Sequence, residues 1–456
     1  MKPTLILINP WIYDFAAYDL WAKPLGLLYL AGQLRTMGFN VHLIDCLDVH
    51  NPLIEKMGHI KKPARRRYGT GKFWKQAVPK PSQLSNIPRS YSRYGITPRI
   101  FIKELKKVKS PSAILITSLM TYWYPGVFEA IHLAKGIHPD VPVILGGIYA
   151  TLCPEHARNY SNADLIISSP NQFWPVELGQ FLKNTIPDFL IQEKVEPFST
   201  YPAFDLLTKI DYVCLLSSSG CPFRCPYCAS PYLSPLYFKR EPMELFEELL
   251  FWHKKHKIID FAFYDDALLY DAENHICVFL EEVLRNNLHL RFHSPNGLHI
   301  TYIDRDIANL LYEAGFQTLR LGLETSDTRL QRDLGKKFSE GEFEQALTNL
   351  KKAGFTTNQI GTYVLMGLPG QIYDQVAETI RYVGKAGAVP YLSEYSPIPH
   401  TEMWKDAVEV SRFDIESEPL FHNNTIFPCW NGDVFKKVRE LKKMAQDIRK
   451  GISLAH

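Results

Sequence analysis

Short apolar runs alternate twice with stretches of helical period, and this alternation most limits the folds open to the 456-residue chain. In the first series, residues 4–9 read as a buried strand, 25–37 as a helix stopped at Gly38, and 41–45 as a second strand. Further apolar runs follow at 113–117, 141–145 and 164–167, with helical stretches at 127–135 and 154–159 between them. Strands separated by helices lie parallel, with helices over both faces of the sheet. Residues 1–185 are therefore expected to form an α/β domain of doubly wound, flavodoxin- or Rossmann-like type. A proline-punctuated linker is expected over 186–210.

The second series repeats the pattern. Strands are expected at 212–217, 259–264, 289–293, 318–322, 359–366 and 391–395, with helices at 243–256, 272–286, 304–314, 343–353 and 376–386. Six strands, each with a connecting helix, predict a partial (β/α)6 barrel of TIM type over 211–400, with its chemistry at the carboxyl ends of the strands. Residues 401–456 form an extension that ends in a basic helix at 436–450.

One segment interrupts the first series. Residues 51–110 carry sixteen Lys or Arg against only Glu55 and Glu104. This basic insertion reads as a long loop, either solvated or acting as a lid over an anionic ligand. Its aromatic residues (Tyr68, Phe73, Trp74, Tyr91, Tyr94) argue against simple disorder. The whole chain carries a net charge of only +3, so no nucleic-acid partner is expected. No apolar stretch is long enough to span a bilayer, and the apolar run at the start is too short for a secretion signal, so the expected compartment is the cytoplasm.

Eight cysteines in a chain this long are no disulfide scaffold. Five are scattered (Cys46, Cys153, Cys214, Cys277, Cys429) and read as inert thiols. The other three fall within Ser219-Gly220-Cys221-Pro222-Phe223-Arg224-Cys225-Pro226-Tyr227-Cys228, just after the first strand of the second series. The glycine and prolines favour a curled loop on which three thiolates can converge. Structural zinc and ordinary electron-transfer clusters usually want four ligands, and no partner follows nearby. Three cysteines would leave one iron of a cluster open to a further ligand. An iron–sulfur electron carrier remains the alternative from another class, and it requires a fourth ligand.

The spacing Cys221-x3-Cys225-x2-Cys228, with Tyr227 before the last cysteine, resembles the signature of radical S-adenosylmethionine (SAM) enzymes. The resemblance implies that these cysteines hold a 4Fe-4S cluster whose open iron binds SAM. One electron, from a reductant such as flavodoxin or ferredoxin, then cleaves SAM to methionine and a 5'-deoxyadenosyl radical that attacks the substrate. Tyr227, Asp265 in Phe263-Tyr264-Asp265-Asp266, Glu324 in Leu321-Gly322-Leu323-Glu324-Thr325-Ser326, and Gly367 in Gly367-Leu368-Pro369-Gly370-Gln371 are the implied SAM contacts. The last stretch departs from the family by placing Gln371 where an acid is usual.

The first domain resembles the cobalamin-binding domain that precedes the barrel in one subclass of that family. The matching stretches are Asn9-Pro10, 24–31, Leu43-Ile44-Asp45, Ser118-Leu119-Met120-Thr121 and 145–151. They make Ser118, Thr121, Gly146, Gly147 and Thr151 the implied cobalamin contacts. The Asp-x-His-x-x-Gly motif of classical cobalamin proteins is absent, and Ser168-Ser169-Pro170-Asn171 stands where the subclass often has Gly-Glu-Gly-Glu. The implied activity is cobalamin-dependent methyl transfer to an unactivated centre of a small-molecule or peptide substrate. Its alternatives are cobalamin-independent chemistry and a non-methylating radical rearrangement or cyclisation. The sequence singles out no catalytic side chain and no particular substrate.

Overall fold

The computed structural model describes residues 2–56, 62–170, 174–187, 189, 195–335, 339 and 341–454. The chain forms two compact units. The first comprises Met1–Asp211 and Ser417–Thr425, and the second Tyr212–Glu416 and Ile426–His456. Asn171 and residues 57–61 of the insertion lie outside the described residues.

The first unit is built on a five-stranded parallel sheet: β1 (Thr4–Asn9), β2 (Asn40–Asp45), β3 (Ala113–Ile116), β4 (Val143–Leu145) and β5 (Leu165–Ile166). The strands lie side by side in the order β5-β4-β3-β1-β2, every pair parallel. Alternate residues serve two cores. Ile6, Ile8, Ile114, Ile116, Val143 and Leu145 join one apolar cluster, and Leu5, Leu7, Ala113, Leu115 and Ile144 join the other. A strand buried on both faces is apolar at every position, which is why these segments read as unbroken hydrophobic runs. Helix Leu25–Thr36 packs into the second cluster, and helices Pro98–Lys107 and Tyr124–Ile137 into the first.

The basic insertion is not the long loop expected of it. Strands Ile12–Asp14, Ser92–Tyr94 and Lys75–Ala77 make a small antiparallel sheet, Tyr18–Asp19 pairs with Gly71–Lys72, and Thr97 caps the helix that follows. Phe73, Trp74, Leu84, Tyr91 and Tyr94 are buried, so apolar burial holds the insertion down despite its charge. Several cations are also neutralised in place. Arg65 binds Asp19 at 2.6 Å, and Arg93 reaches Glu129 at 3.4 Å.

The second unit carries six parallel strands: β6 (Val213–Leu215), β7 (Asp260–Phe263), β8 (Arg291–His293), β9 (Phe316–Glu324), β10 (Ile360–Met366) and β11 (Val389–Glu394). They lie side by side in chain order, each parallel to the next. Phe263, Phe292 and Phe316 meet on one side with ring centroids 5.5–5.9 Å apart, alongside Phe279 of helix Ile276–Arg285. That helix starts later than expected, at Ile276, and residues 264–275 run as a connection in which Asp271 turns left-handed (φ 50°). The C-terminal helix spans Val434–Leu454, and its Arg449 lies over the Tyr391 ring of β11, 4.4 Å from the centroid. Among the described residues no helix is long and apolar enough to cross a membrane.

Candidate functional site

In the second unit the cysteine loop hangs from the end of β6. Ser218–Ser219 pairs antiparallel with Phe238–Lys239, which turns the chain before Cys221. Gly220 makes that turn with φ 74°, and a Cβ there would sit 2.5 Å from the Leu236 carbonyl. Only glycine tolerates both. Behind the turn lies Asp265, 3% exposed, at the end of β7. Its carboxylate accepts from the Ser217 amide (3.0 and 3.1 Å), the Ser217 hydroxyl (2.7 Å) and the Ser218 hydroxyl (2.6 Å). The structure thus engages Asp265 with the root of the cysteine loop. Burial pushes its carboxyl up, and the serine donors pull it back.

The loop is fixed at two further points. The Cys228 amide donates to the Cys225 carbonyl at 3.0 Å, and the Met403 amide, from the segment after β11, donates to the Pro226 carbonyl at 2.9 Å. None of the three is in a disulfide, and all are half-buried. Among the described residues no three His, Cys, Asp or Glu side chains stand ready to enclose a single metal ion. Cysteines that each ligate a different iron of a cluster need not converge so closely. The donor set fits such a cluster in two respects. Burial pushes the Cys221 thiol up to about 11, so its thiolate needs a cationic partner of the kind iron supplies. Cys228 Sγ lies 3.5 Å from the Ser230 amide, which donates to it, and 3.3 Å from the Ser230 hydroxyl. Hydrogen bonds of this kind to a ligand sulfur tune a bound cluster.

Tyr227 and Glu324 are brought together. The Tyr227 hydroxyl hydrogen-bonds Glu324, and burial with that carboxylate holds the phenol well above its ordinary range. Glu324 ends β9 in the left-handed region (φ 67°), where the pairing with β10 shifts register. A non-glycine residue kept there costs about 1 kcal/mol or more, a strain typical of functional sites. Gly367 follows β10. Both its amide and that of Leu368 donate to Gln371 Oε1 (2.9 and 3.2 Å), while Gln371 Nε2 donates to the Leu365 carbonyl at 3.0 Å. A carboxylate could not make the last bond, so the amide at this position closes the turn that an acid would leave open.

His400 carries no motif in the sequence. It too is left-handed (φ 69°), and its imidazole stacks on Tyr232 at 4.1 Å and 6°, three residues before the Met403 anchor. Its signal in sequence was weak, because a histidine in a proline-rich loop has no periodicity to mark it.

In the first unit, the loops after β3 and β4 are knitted together. Ser118 Oγ donates to the Gly146 carbonyl (2.7 Å) and accepts from the Ala150 amide (3.3 Å), and the Ile148 amide donates to the Ser118 carbonyl (2.8 Å). Gly147 has φ 89°, and a Cβ there would lie 2.4 Å from the Ser118 carbonyl oxygen. Thr151 Oγ1 donates to the Gly147 carbonyl at 3.1 Å. Thr121 stands apart from these four, bonded to His422 Nδ1 at 2.9 Å. That contact was not expected, since His422 belongs to the returning segment Ser417–Thr425. The same segment places Asn423 Nδ2 2.9 Å from Asp14 Oδ1, to which it donates. A contact between residues 301 positions apart leaves no local pattern in sequence.

Residues 215–383 match the radical SAM superfamily. An uncharacterized methyltransferase of Pyrococcus horikoshii is 24% identical over 338 residues, covering 67% of this chain and 72% of that protein. The radical SAM methyltransferase TsrM of Kitasatospora setae, solved with tryptophan and a SAM analogue, superposes with TM-score 0.64 at 15% identity, over 90% of this chain and 76% of TsrM. A second structure of TsrM holds cobalamin and a [4Fe-4S] cluster. The cobalamin-dependent radical enzyme OxsB, solved with aqua-cobalamin and SAM, superposes with TM-score 0.56 at 13% identity, over 98% of this chain and 56% of OxsB. At such identities the structural likeness concerns the fold, a mixed α/β architecture with parallel sheets. The family match runs from the end of β6 into the helix after β10, taking in five of the six strands with the cysteine loop near its start, and gives this chain a radical SAM domain over those residues.

Proposed function

We propose that the chain is a cobalamin-dependent radical SAM methyltransferase of the cytoplasm, transferring methyl to an unactivated centre of a small-molecule or peptide substrate. The observation that carries this reading is the likeness over 90% of the chain, spanning both units, to a methyltransferase solved with cobalamin and a [4Fe-4S] cluster. We read the first sheet as a flavodoxin-type, doubly wound cobalamin domain over residues 1–185, and 186–210 as its linker. Residues 211–400 are then the partial-barrel radical core, and 401–456 an extension.

In this reading Cys221, Cys225 and Cys228 hold the cluster, which supplies the electron that cleaves SAM. Asp265 holds Ser217 and Ser218 and so orients the cysteine loop. Ser230 donates to the Cys228 sulfur. Tyr227 hydrogen-bonds Glu324 and so orients the carboxylate that would meet the ammonium or ribose of SAM. The Gly367 turn, closed by Gln371, lets backbone approach the cofactor. In the first unit, Ser118, Thr121, Gly146, Gly147 and Thr151 line the carboxyl edge of the sheet with neutral groups, suited to a large flat ring.

Anaerobic reconstitution with iron and sulfide, reduction by dithionite and assay of 5'-deoxyadenosine test the radical step. A fully loaded cluster that yields none sinks it. An absorbance titration with hydroxocobalamin tests the second cofactor, and failure to bind would leave the first unit a scaffold.

A further inference from the structure

Cys225 lines a cleft of about 390 Å³, together with Phe223, Arg224, His299, Thr301 and Tyr302. None of those five neighbours has a role in the site described above. The Phe223 ring lies on the His299 imidazole, with centroids 3.9 Å apart and planes 21° apart. Tyr270 packs edge-on against Phe223 at 5.8 Å and against Tyr302 at 6.2 Å. A rigid aromatic floor therefore abuts one of the three cysteines.

The rim differs in character. Arg224 is exposed and makes no hydrogen bond, ion pair or ring contact among the described residues. Arg329 and Arg332 are also exposed, on the short helix Thr328–Asp333 that leads into Gly335 at the same cleft, with Asp333 beside them. An arginine that binds a small anion is normally oriented by partners of its own. A free guanidinium on a rim does something else: it steers the encounter with a macromolecule of opposite charge.

We propose that this cleft is the docking surface for the one-electron donor, a small redox protein with an acidic face around its redox centre. The proposal rests on the radical reading and names the partner that reading requires. In the step it serves, one electron leaves the donor's centre, which is oxidised, and reduces the cluster held by the three cysteines. No bond forms and no proton moves. Such encounters are brief and use small interfaces guided by complementary charge, which the exposed arginines beside the cleft supply.

The test compares two sources of electrons on the reconstituted protein, reduced flavodoxin and dithionite, in wild type and Arg224→Glu, with cluster content measured in both. The expected result is that the flavodoxin concentration giving half-maximal 5'-deoxyadenosine formation rises about tenfold in the variant at low salt. The difference should shrink as salt screens the rim, while the dithionite-supported rate is unchanged. An equal loss with both reductants overturns the proposal and assigns Arg224 to the binding of a small anionic ligand. No change with either reductant also overturns it. Wild type that forms no 5'-deoxyadenosine with dithionite overturns the radical reading itself, and this proposal with it.

Discussion

The carboxyl edges of the two sheets obey one architectural rule and are built from opposite materials. After β3 and β4 the first unit presents hydroxyls and backbone: Ser118, Gly146, Gly147 and Thr151 satisfy one another, with no charged group among them. After β6, β7 and β9 the second unit presents three half-buried thiols, a buried aspartate and a left-handed glutamate. A self-satisfied neutral edge can meet a large ring without rearrangement. An edge of thiols and carboxylates is unfavourable by itself and calls for cations. The first edge is thus made stable before any ligand arrives, whereas the second stores strain and buried charge that a metal and a cationic cofactor can relieve.

The comparison can be broken from its strong end. Cys225→Ala should remove the cluster's absorbance and cut 5'-deoxyadenosine formation by roughly a thousandfold or more. Cys277→Ala, on a helix of the same unit, should do neither. Equal losses would mean that the cysteine loop is not special. Asp265→Ala leaves two serine hydroxyls and one amide without their acceptor, at a cost of about 3 kcal/mol in chemical denaturation. Cluster content on reconstitution should fall with it, and a variant as stable as wild type would show that the loop's root does not depend on this carboxylate. Glu324→Gln, which keeps size and removes charge, should raise the SAM concentration for half-maximal cleavage about thirtyfold, a loss of about 2 kcal/mol.

At the neutral edge the expected effects are smaller and of another kind. Gly147→Ala forces a side chain into φ 89° and against the Ser118 carbonyl, costing about 2 kcal/mol of stability. It should weaken hydroxocobalamin binding while leaving dithionite-driven SAM cleavage intact, and loss of cleavage would deny the two edges their separate roles. The smallest effect concerns His156, which burial pushes down to about 4 and whose Nδ1 meets the Tyr149 hydroxyl at 2.6 Å. Between that value and the ordinary histidine range, near 6.5, the unfolded chain binds more protons than the folded one. Stability should therefore fall as pH drops through this window and stay level above it. His156→Phe should flatten the thermal midpoint between pH 4.5 and 7, and an unchanged slope would assign the dependence to other groups.

Much of the fold was legible because burial on both faces leaves a run that needs no partner to be recognised, as β1 and β10 show. The fold of the insertion was not legible because charge dominates its composition, while a few buried residues such as Trp74 and Tyr91, bonded to the distant Val49 and Tyr13 carbonyls, hold it in place. At the site, the cysteines, Tyr227, Glu324 and the Gly367 turn could be named from local spacing. Asp265 could be named too, but not its use, since nothing in the order of residues says that its carboxylate faces Ser217 rather than a ligand.

The sequence by itself determined the alternation of strands and helices, the loop of three thiols after the first strand of its series, and the glycines at tight turns. These are short-range facts, set by backbone sterics and side-chain period over a few residues. Only the tertiary structure decided what those residues meet. Tyr227 bonds to Glu324 across 97 positions, His422 returns to Thr121 across 301, and Arg224 stays unpaired beside an aromatic cleft. Contacts of that span follow from how whole strands pack, and no window along the chain contains both partners.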